Sequence, residues 1–463
     1  MKDKGRAVDP YDVVIVGGGP AGSATALALT RRDPRLRVAL VEKTEYEARR
    51  IGETLPPPAR ALLAELGVWE AFLSRCPVES SGTRAAWGSA RFHENEFIFS
   101  PYGRGWHLDR RDFDAMLVSE AERAGVDVFR RAVAHVGGRR ADDWHLTLRQ
   151  AGAPARPLRA RFVVDATGRR SAFATTQGAR HLVFDQLVGV VAFLRVDPAG
   201  PQPDTTSVEA CEHGWWYTAT VPNGEMAAVF MTDASHLRAL RWRTPDDWRS
   251  LTALAPDTAS RTAGCALLRC PSLCSAASQR LDACAGDQWL AVGDAAYTVD
   301  PLSSRGVMTA LRAGIIASRT ITRHFSGDAQ AVADYGHRIG REYDEYLDRR
   351  AAYYAMEQRW PDSPFWRSRH EIVTLHPEQW LQSIPARPDR TRHLKHSTRL
   401  SADELQGLAE LCTQPLPAHQ VVTAFKDRSA WTRSDRHVLL ALQDLIAGGR
   451  VRLHTRVAAA HTG

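Results

Sequence analysis

The run Gly17-Gly18-Gly19-Pro20-Ala21-Gly22 ends twenty residues before an acid, Glu42. Backbone amides freed of side chains can approach a pyrophosphate, and a carboxylate can take both hydroxyls of a ribose. In this reading Gly17 allows the tight turn and Gly19 lets amides close on the phosphates. Gly22 permits close helix–strand packing. Pro20 and Ala21 complete the turn, and Lys43 stands beside the acid. The elements that must position these residues are legible on either side. Asp-Val-Val-Ile-Val at 12–16 reads as a short buried strand, Ser23 to Leu29 as a helix, and Leu36 to Val41 as a second strand. Strand, turn, helix, strand and acid in that order predict the start of a dinucleotide-binding unit.

Two later segments specify FAD rather than NAD. Arg161 to Gly168 reads as a strand running into a small-residue turn, with Asp165 and Gly168 as candidate contacts. Trp289 to Ala296 is another strand, ending in Gly293-Asp294. An aspartate at such a strand end can accept a bond from a ribityl chain. Asp300 to Val307 then leads into an apolar helix through Ile316, which brings Gly306 and Val307 to its start. That N-terminus would turn the positive end of its dipole toward the electron-rich edge of a flavin. No second G-x-G-x-x-G marks a nicotinamide domain, so reduced flavin has another source or its reduction depends on bound substrate.

Composition bounds the rest. The 463 residues are 44% hydrophobic and 24% charged, enough for two or three units with real cores. No stretch nears the ~18 apolar residues of a membrane helix, and no signal-peptide core opens the chain. A soluble, cytoplasmic protein is expected. Of 60 basic residues only Lys2, Lys4, Lys43, Lys395 and Lys426 are lysines, so the span from 44 to 394 can contain no Schiff-base or general-base lysine. The net charge of +7 is modest for this length and does not point to nucleic acid. Cys265, Cys270, Cys274 and Cys284 lack the paired spacing of zinc knuckles, so no metal is expected.

The three FAD segments, with Arg50-Ile51-Gly52-Glu53-Thr54-Leu55-Pro56 and His107 to Asp114, resemble the FAD-dependent monooxygenase and flavin-halogenase superfamily over residues 10–365. The resemblance implies an α/β fold, in which a Rossmann-like FAD-binding domain interleaves with a mixed β-sheet substrate domain like that of aromatic hydroxylases. It also implies that Arg50 and Arg110 lie near the FAD, the alternative for each being a surface ion pair. Flavin-dependent tryptophan halogenases place a lysine between the nucleotide motif and the Phe-Asp motif. Here the comparable stretch, Ser81 to Gly88, has none. Arginine cannot stand in as a deprotonatable amine, since its pKa stays above about 12. Gly214-Trp215-Trp216-Tyr217 to Pro222 departs from their W-x-W-x-I-P signature, and Arg305 interrupts the run beside which a halide is held.

A narrower resemblance, carried by Ile51 to Ala59, Thr83 to Ser89 and Gly214 to Tyr217, is to flavoproteins that mature tryptophan-derived quinone cofactors, among them the group serving quinohaemoprotein amine dehydrogenase. It implies an FAD-dependent monooxygenase hydroxylating a tryptophan in a protein or peptide, with molecular oxygen as co-substrate and another maturation enzyme as a further partner. Trp216 is then a candidate aromatic platform for the indole or a core residue. Arg305 is a candidate contact to flavin or substrate, or a structural ion pair. The alternative is a monooxygenase or halogenase acting on a small aromatic natural product. A non-catalytic flavin scaffold is a third class.

Toward the C-terminus, Ala310 to His324 and about 329–360 read as helices, the second bearing Tyr343, Tyr346, Tyr353 and Tyr354 as a core stripe. The expected organisation is an FAD-binding and substrate unit over 8–365, with the substrate sheet at roughly 78–110 and 180–275. A linker over 366–400, basic at 385–399, and a small helical, winged-helix-like domain over 401–463 follow. Ser401 to Glu404 matches a capped helix start, and a strand-like segment follows the last helix. Without a recognition helix bearing base-reading residues, the module is expected to dock a protein substrate rather than nucleic acid.

Overall fold

The structure is a computed structural model. It describes residues 10–75, 77–140, 143–198, 203–238, 240–370, 375, 378–384, 400–429 and 435–454. The basic run at 385–399 lies outside them.

The apolar run Tyr11–Val16 is the centre of a largely parallel sheet. It pairs in parallel with Arg156–Asp165 on one side and Val38–Val41 on the other. Asp127–Phe129 and Trp289–Ala291 extend the two flanks, also in parallel. Continuous burial on both faces explains why these strands read as unbroken apolar runs. Helix Pro20–Arg32 packs against helix Gly306–Phe325. The crossing is close because of Gly314, where a Cβ would lie 2.6 Å from the Thr25 nitrogen and 2.7 Å from the Ala21 oxygen.

A second, mainly antiparallel sheet is built from residues 82–96 and 187–275. Its central order is Leu187–Arg195, Glu225–Asp233, Gly214–Val221, Thr205–Cys211, Gly82–Ala86 and His93–Glu96. The Thr205 and Gly82 strands pair in parallel. Both faces are covered, so all eight residues of Gly214–Val221 are buried. One face carries Trp215 and Tyr217 with Trp87, Tyr354 and Trp366; the other carries Trp216 with Phe230 and Trp248.

The C-terminal residues form their own apolar cluster from helices Ala402–Leu411, Ala418–Ser429 and Asp435–Ala447. Ser401 caps the first with a reciprocal bond to Glu404. Two features differ from the sequence reading. Helix Pro364–Arg369, which crosses the expected boundary at 365/366, buries Phe365 and Trp366 in the core of the second sheet. Strand Trp380–Ser383, inside the expected linker, is the middle strand of a small antiparallel sheet with Leu416–Pro417 and Val451–His454. The last strand therefore pairs back to a segment preceding the helices. Among the described residues no helix is long and apolar enough to cross a membrane.

Candidate active site

The turn after Tyr11–Val16 requires glycine. Gly17 has φ of +113°, and a Cβ there would sit 2.1 Å from the Ala166 carbonyl oxygen. Gly22 packs against the Gly17 carbonyl, where a Cβ would come within 2.0 Å. Gly19 is the opposite case: nothing lies within 4 Å of its Cβ position, and it faces an open cavity. At the end of Val38–Val41, Glu42 is 4% exposed. Its Oε2 accepts the Gly18 amide at 2.8 Å, and its Oε1 accepts the Thr44 amide and hydroxyl at 2.9 and 2.6 Å. The acid thus ties the glycine turn to the second strand while lining the cavity beside Lys43. Open backbone at Gly19 with an acid at the strand end fits the phosphates and ribose of FAD.

The cavity, about 820 Å³, is shared by both sheets. On the nucleotide side it is lined by Gly17, Gly19, Pro20, Ala21, Glu42 and Lys43. Arg50, Arg110, Gly168, Asp294, Gly306 and Val307 line it further on. Arg110 forms a two-pronged pair with Asp114, Nε to Oδ1 and Nη2 to Oδ2 both at 3.0 Å, and donates Nη1 to the Ile51 carbonyl at 2.8 Å. Arg50 reaches the same carboxylate at 3.1 Å. Asp114 is fully buried, so two guanidinium groups hold one charge inside the wall. Asp294 stands at the far strand end with its side chain open to the cavity; the protein crowded around that cavity raises its carboxyl above the usual range, opposed by Arg169 at 3.9 Å and by Arg110.

Four expected residues lie outside the cavity lining. Asp165 does not line the cavity. Its Oδ1 takes the Thr167 amide and hydroxyl, and its Oδ2 takes the Phe173 and Ala174 amides at 2.9 and 2.8 Å. Those four donors turn it toward the chain, where it shapes the turn that brings Ala166, Thr167 and Gly168 to the cavity. Trp216 is fully buried on the far face of its strand, 5.0 Å from the Phe230 ring and 5.1 Å from Trp248. Strand alternation gives that cavity wall to Trp215 and Tyr217 instead. Arg305 precedes helix Gly306–Phe325 and is exposed, outside the cavity lining. Gly22 acts through packing rather than by facing the cavity.

The substrate-side wall adds residues that were not singled out. Thr206, Val208, Trp215, Tyr217, Cys274 and Glu53 line it. Glu53 is 2% exposed; its Oε2 accepts the Tyr217 hydroxyl at 3.4 Å, and its Oε1 has no hydrogen-bond partner. Burial pushes this carboxyl up to about 7. Its sequence signal was present: the one acid in the otherwise uncharged stretch Ile51 to Ala59. Among the described lining residues Lys43 is the one lysine, and it stands at the nucleotide end. No cluster of metal-ligating side chains occurs among the described residues.

The profile of the FAD binding domain family matches residues 10–335. LodB of Marinomonas mediterranea, assigned as an FAD-dependent oxidoreductase, is 31% identical over 374 residues, which span 80% of this chain and 99% of LodB. The myxobacterial chondrochloren halogenase CndH superposes with a TM-score of 0.72 at 24% identity, covering 79% of this chain and 87% of its own. The peptidyl tryptophan dihydroxylase QhpG, essential for tryptophylquinone cofactor biogenesis, superposes with a TM-score of 0.62 at 21% identity, over 94% of this chain and 99% of its own. These two likenesses show the same fold.

Proposed function

Since the chain belongs to the FAD binding domain family, we propose that it is a monooxygenase hydroxylating a tryptophan within a protein or peptide, as a step in making a tryptophan-derived quinone cofactor. FAD is its cofactor, and it is a flavin-dependent enzyme. The observation that carries the finer reading is the shared cavity. Its nucleotide cradle opens onto a wall bearing Trp215, Tyr217 and a buried acid, with no lysine on that side among the described residues. An amine that could handle hypohalous acid is thus missing where substrate would sit, which favours oxygenation over halogenation.

Bound FAD, once reduced, supplies the electrons that let molecular oxygen deliver one atom to an aromatic ring. The remaining work falls to the chain. The Gly17–Gly22 turn and Glu42 would hold the nucleotide. Arg110, fixed by Asp114, would hold the wall beside Gly52. Gly306 and Val307 would present the helix N-terminus to the flavin's electron-rich edge. Trp215 and Tyr217 would flank the indole and keep water from it. A protein substrate is supported by likeness to QhpG over nearly the whole of both chains.

The second reading, oxygenation or halogenation of a small aromatic molecule, is favoured by the likeness to CndH. Intact-mass analysis separates the two. Reduced, FAD-loaded protein is mixed with oxygen, bromide or chloride, and either a tryptophan-containing polypeptide from its own gene neighbourhood or a panel of small aromatics. One or two added oxygens on the polypeptide support the proposal. A halogen, or oxygen on small molecules alone, supports the second reading.

A further inference from the structure

We propose that Glu53 is the proton acceptor on the substrate side of the cavity, taking the proton that an aromatic ring releases once a ring carbon has gained oxygen. The inference rests on the monooxygenase reading above and assigns its base.

The carboxyl is 2% exposed yet lines the cavity, and one of its oxygens is bonded to nothing. Buried polar atoms without partners are uncommon because each forfeits its hydration without replacement. Glu53 lines the cavity, so an acceptor left unfilled just behind its wall is a place for a ligand's hydrogen. The groups around it leave that acceptor open. From helix Arg110–Arg123, the Arg110 guanidinium acts on it, and that group is already committed to Asp114 and the Ile51 carbonyl. From strand Gly214–Val221, Tyr217 donates to Oε2. From strand Ser272–Ser275, Cys274 faces it as a thiol whose own ionisation is held back by burial. The amides of Gly52 and Glu53 lean toward the carboxyl from its own loop. Burial leaves Glu53 divided between acid and base near neutrality, which suits a group that must accept a proton and then release it.

The step balances. Molecular oxygen, with two electrons from reduced FAD, gives one atom to the ring carbon and the other to water. That carbon then carries both hydrogen and oxygen, and the ring is short of an electron pair. The C–H bond breaks, its electron pair restores the aromatic system, and the proton passes to the Glu53 carboxylate. The resulting carboxylic acid returns the proton to solvent between turnovers.

The test uses Glu53→Gln and Glu53→Asp in the full-length, FAD-loaded protein. Glu53→Gln keeps the shape and an acceptor for Tyr217, and FAD affinity, read by flavin fluorescence, is expected to stay within about two-fold. Single-turnover hydroxylation by the wild type is expected to rise with pH through about 7. In Glu53→Gln it is expected to fall by about 100-fold or more and lose that rise, with Glu53→Asp recovering part of both. With ring-deuterated substrate Glu53→Gln is expected to show a larger isotope effect than the wild type, because deprotonation limits its rate more. A merely structural role would not move that readout. Wild-type rate and pH profile in Glu53→Gln, or no increase in the isotope effect, would overturn the proposal. If the wild type modifies only a small aromatic, the same series on that molecule judges Glu53 while the protein-substrate reading fails by itself. Infrared titration of the FAD-loaded protein is independent of substrate. A carboxyl band with a midpoint near 7 that vanishes in Glu53→Gln is expected, whereas carboxyls all titrating below about 5 contradict the assignment.

Discussion

Tyr354 donates its hydroxyl to Asp300 Oδ2 at 2.7 Å, and that hydroxyl's own oxygen accepts the indole N–H of Trp215 at 3.0 Å. One residue of helix Ala331–Met356 therefore joins the cavity wall to the loop that leads to Gly306. Tyr346, two turns earlier on that helix, accepts the Asp300 amide at 2.6 Å, and Arg350 stands 3.8 Å from the Asp300 carboxylate. Asp300 in turn accepts the Leu302 amide at 2.9 Å, so the helix grips the loop by backbone and side chain together.

Tyr354→Phe removes a donor from a buried carboxylate and the acceptor of a buried indole. It should cost about 1–3 kcal/mol of stability by denaturant unfolding, because both orphaned groups stay out of water. FAD retention should weaken as well, since the Asp300 loop loses a tether. Unchanged stability would mean that water reaches these groups.

Asp114→Asn tests the arginine pair. Two guanidinium groups would lose the one carboxylate between them, at a cost of about 3–5 kcal/mol. FAD should bind more weakly, because Arg110 also holds the Ile51 carbonyl next to Gly52. Denaturant melts and a fluorescence titration with FAD read the two effects separately.

Glycines of the same turn should behave in opposite ways. Gly17→Ala meets the Ala166 carbonyl in a left-handed conformation and should fail to give stable protein. Gly19→Val meets no protein atom, so the fold should survive. FAD affinity should fall by at least about ten-fold, because the new side chain occupies the space the phosphates need. Circular dichroism and flavin fluorescence would distinguish these outcomes.

The raised pKa of Glu53 makes stability depend on pH. Its carboxyl moves from 4.5 to about 7 on folding, so the folded chain holds this proton more tightly than the unfolded one. Its stabilisation is complete below 4.5, declines as pH rises toward about 7, and is gone above that. The loss amounts to about 3 kcal/mol at most. Glu53→Gln should flatten this slope in melts compared between pH 4.5 and 8, becoming relatively more stable than wild type at the alkaline end.

The nucleotide end was legible because its logic is local. Turn, helix and acid follow one another in sequence, and sterics at Gly17 and Gly22 dictate the residue type. The helix expected over Ala310 to His324 is seen as Gly306–Phe325, and the later one as Ala331–Met356. What failed was direction. Alternation says that Trp216 faces away from Trp215 and Tyr217, but not which face meets a cavity that a second sheet completes. Asp165 looked like a ligand residue because nothing local reveals that four donors of its own loop surround it. Arg305 sits at the helix entrance as expected and still points outside the cavity lining. The tyrosine stripe is buried as read at Tyr343, yet Tyr346 and Tyr354 spend their hydroxyls on Asp300. Strand Trp380–Ser383 carries no signal of pairing because its partners lie far along the chain, at Leu416–Pro417 and Val451–His454.

If this cavity oxygenates a tryptophan held in a polypeptide, the added oxygen must appear on the polypeptide itself. The most direct measurement is the intact mass, with fragment localisation, of a tryptophan-containing protein substrate after one turnover with reduced, FAD-loaded enzyme and labelled dioxygen. One or two label-derived oxygen atoms are expected on a single indole, whether or not halide is present. A halogen on that indole, or label found on small aromatics and never on the polypeptide, would contradict this reading.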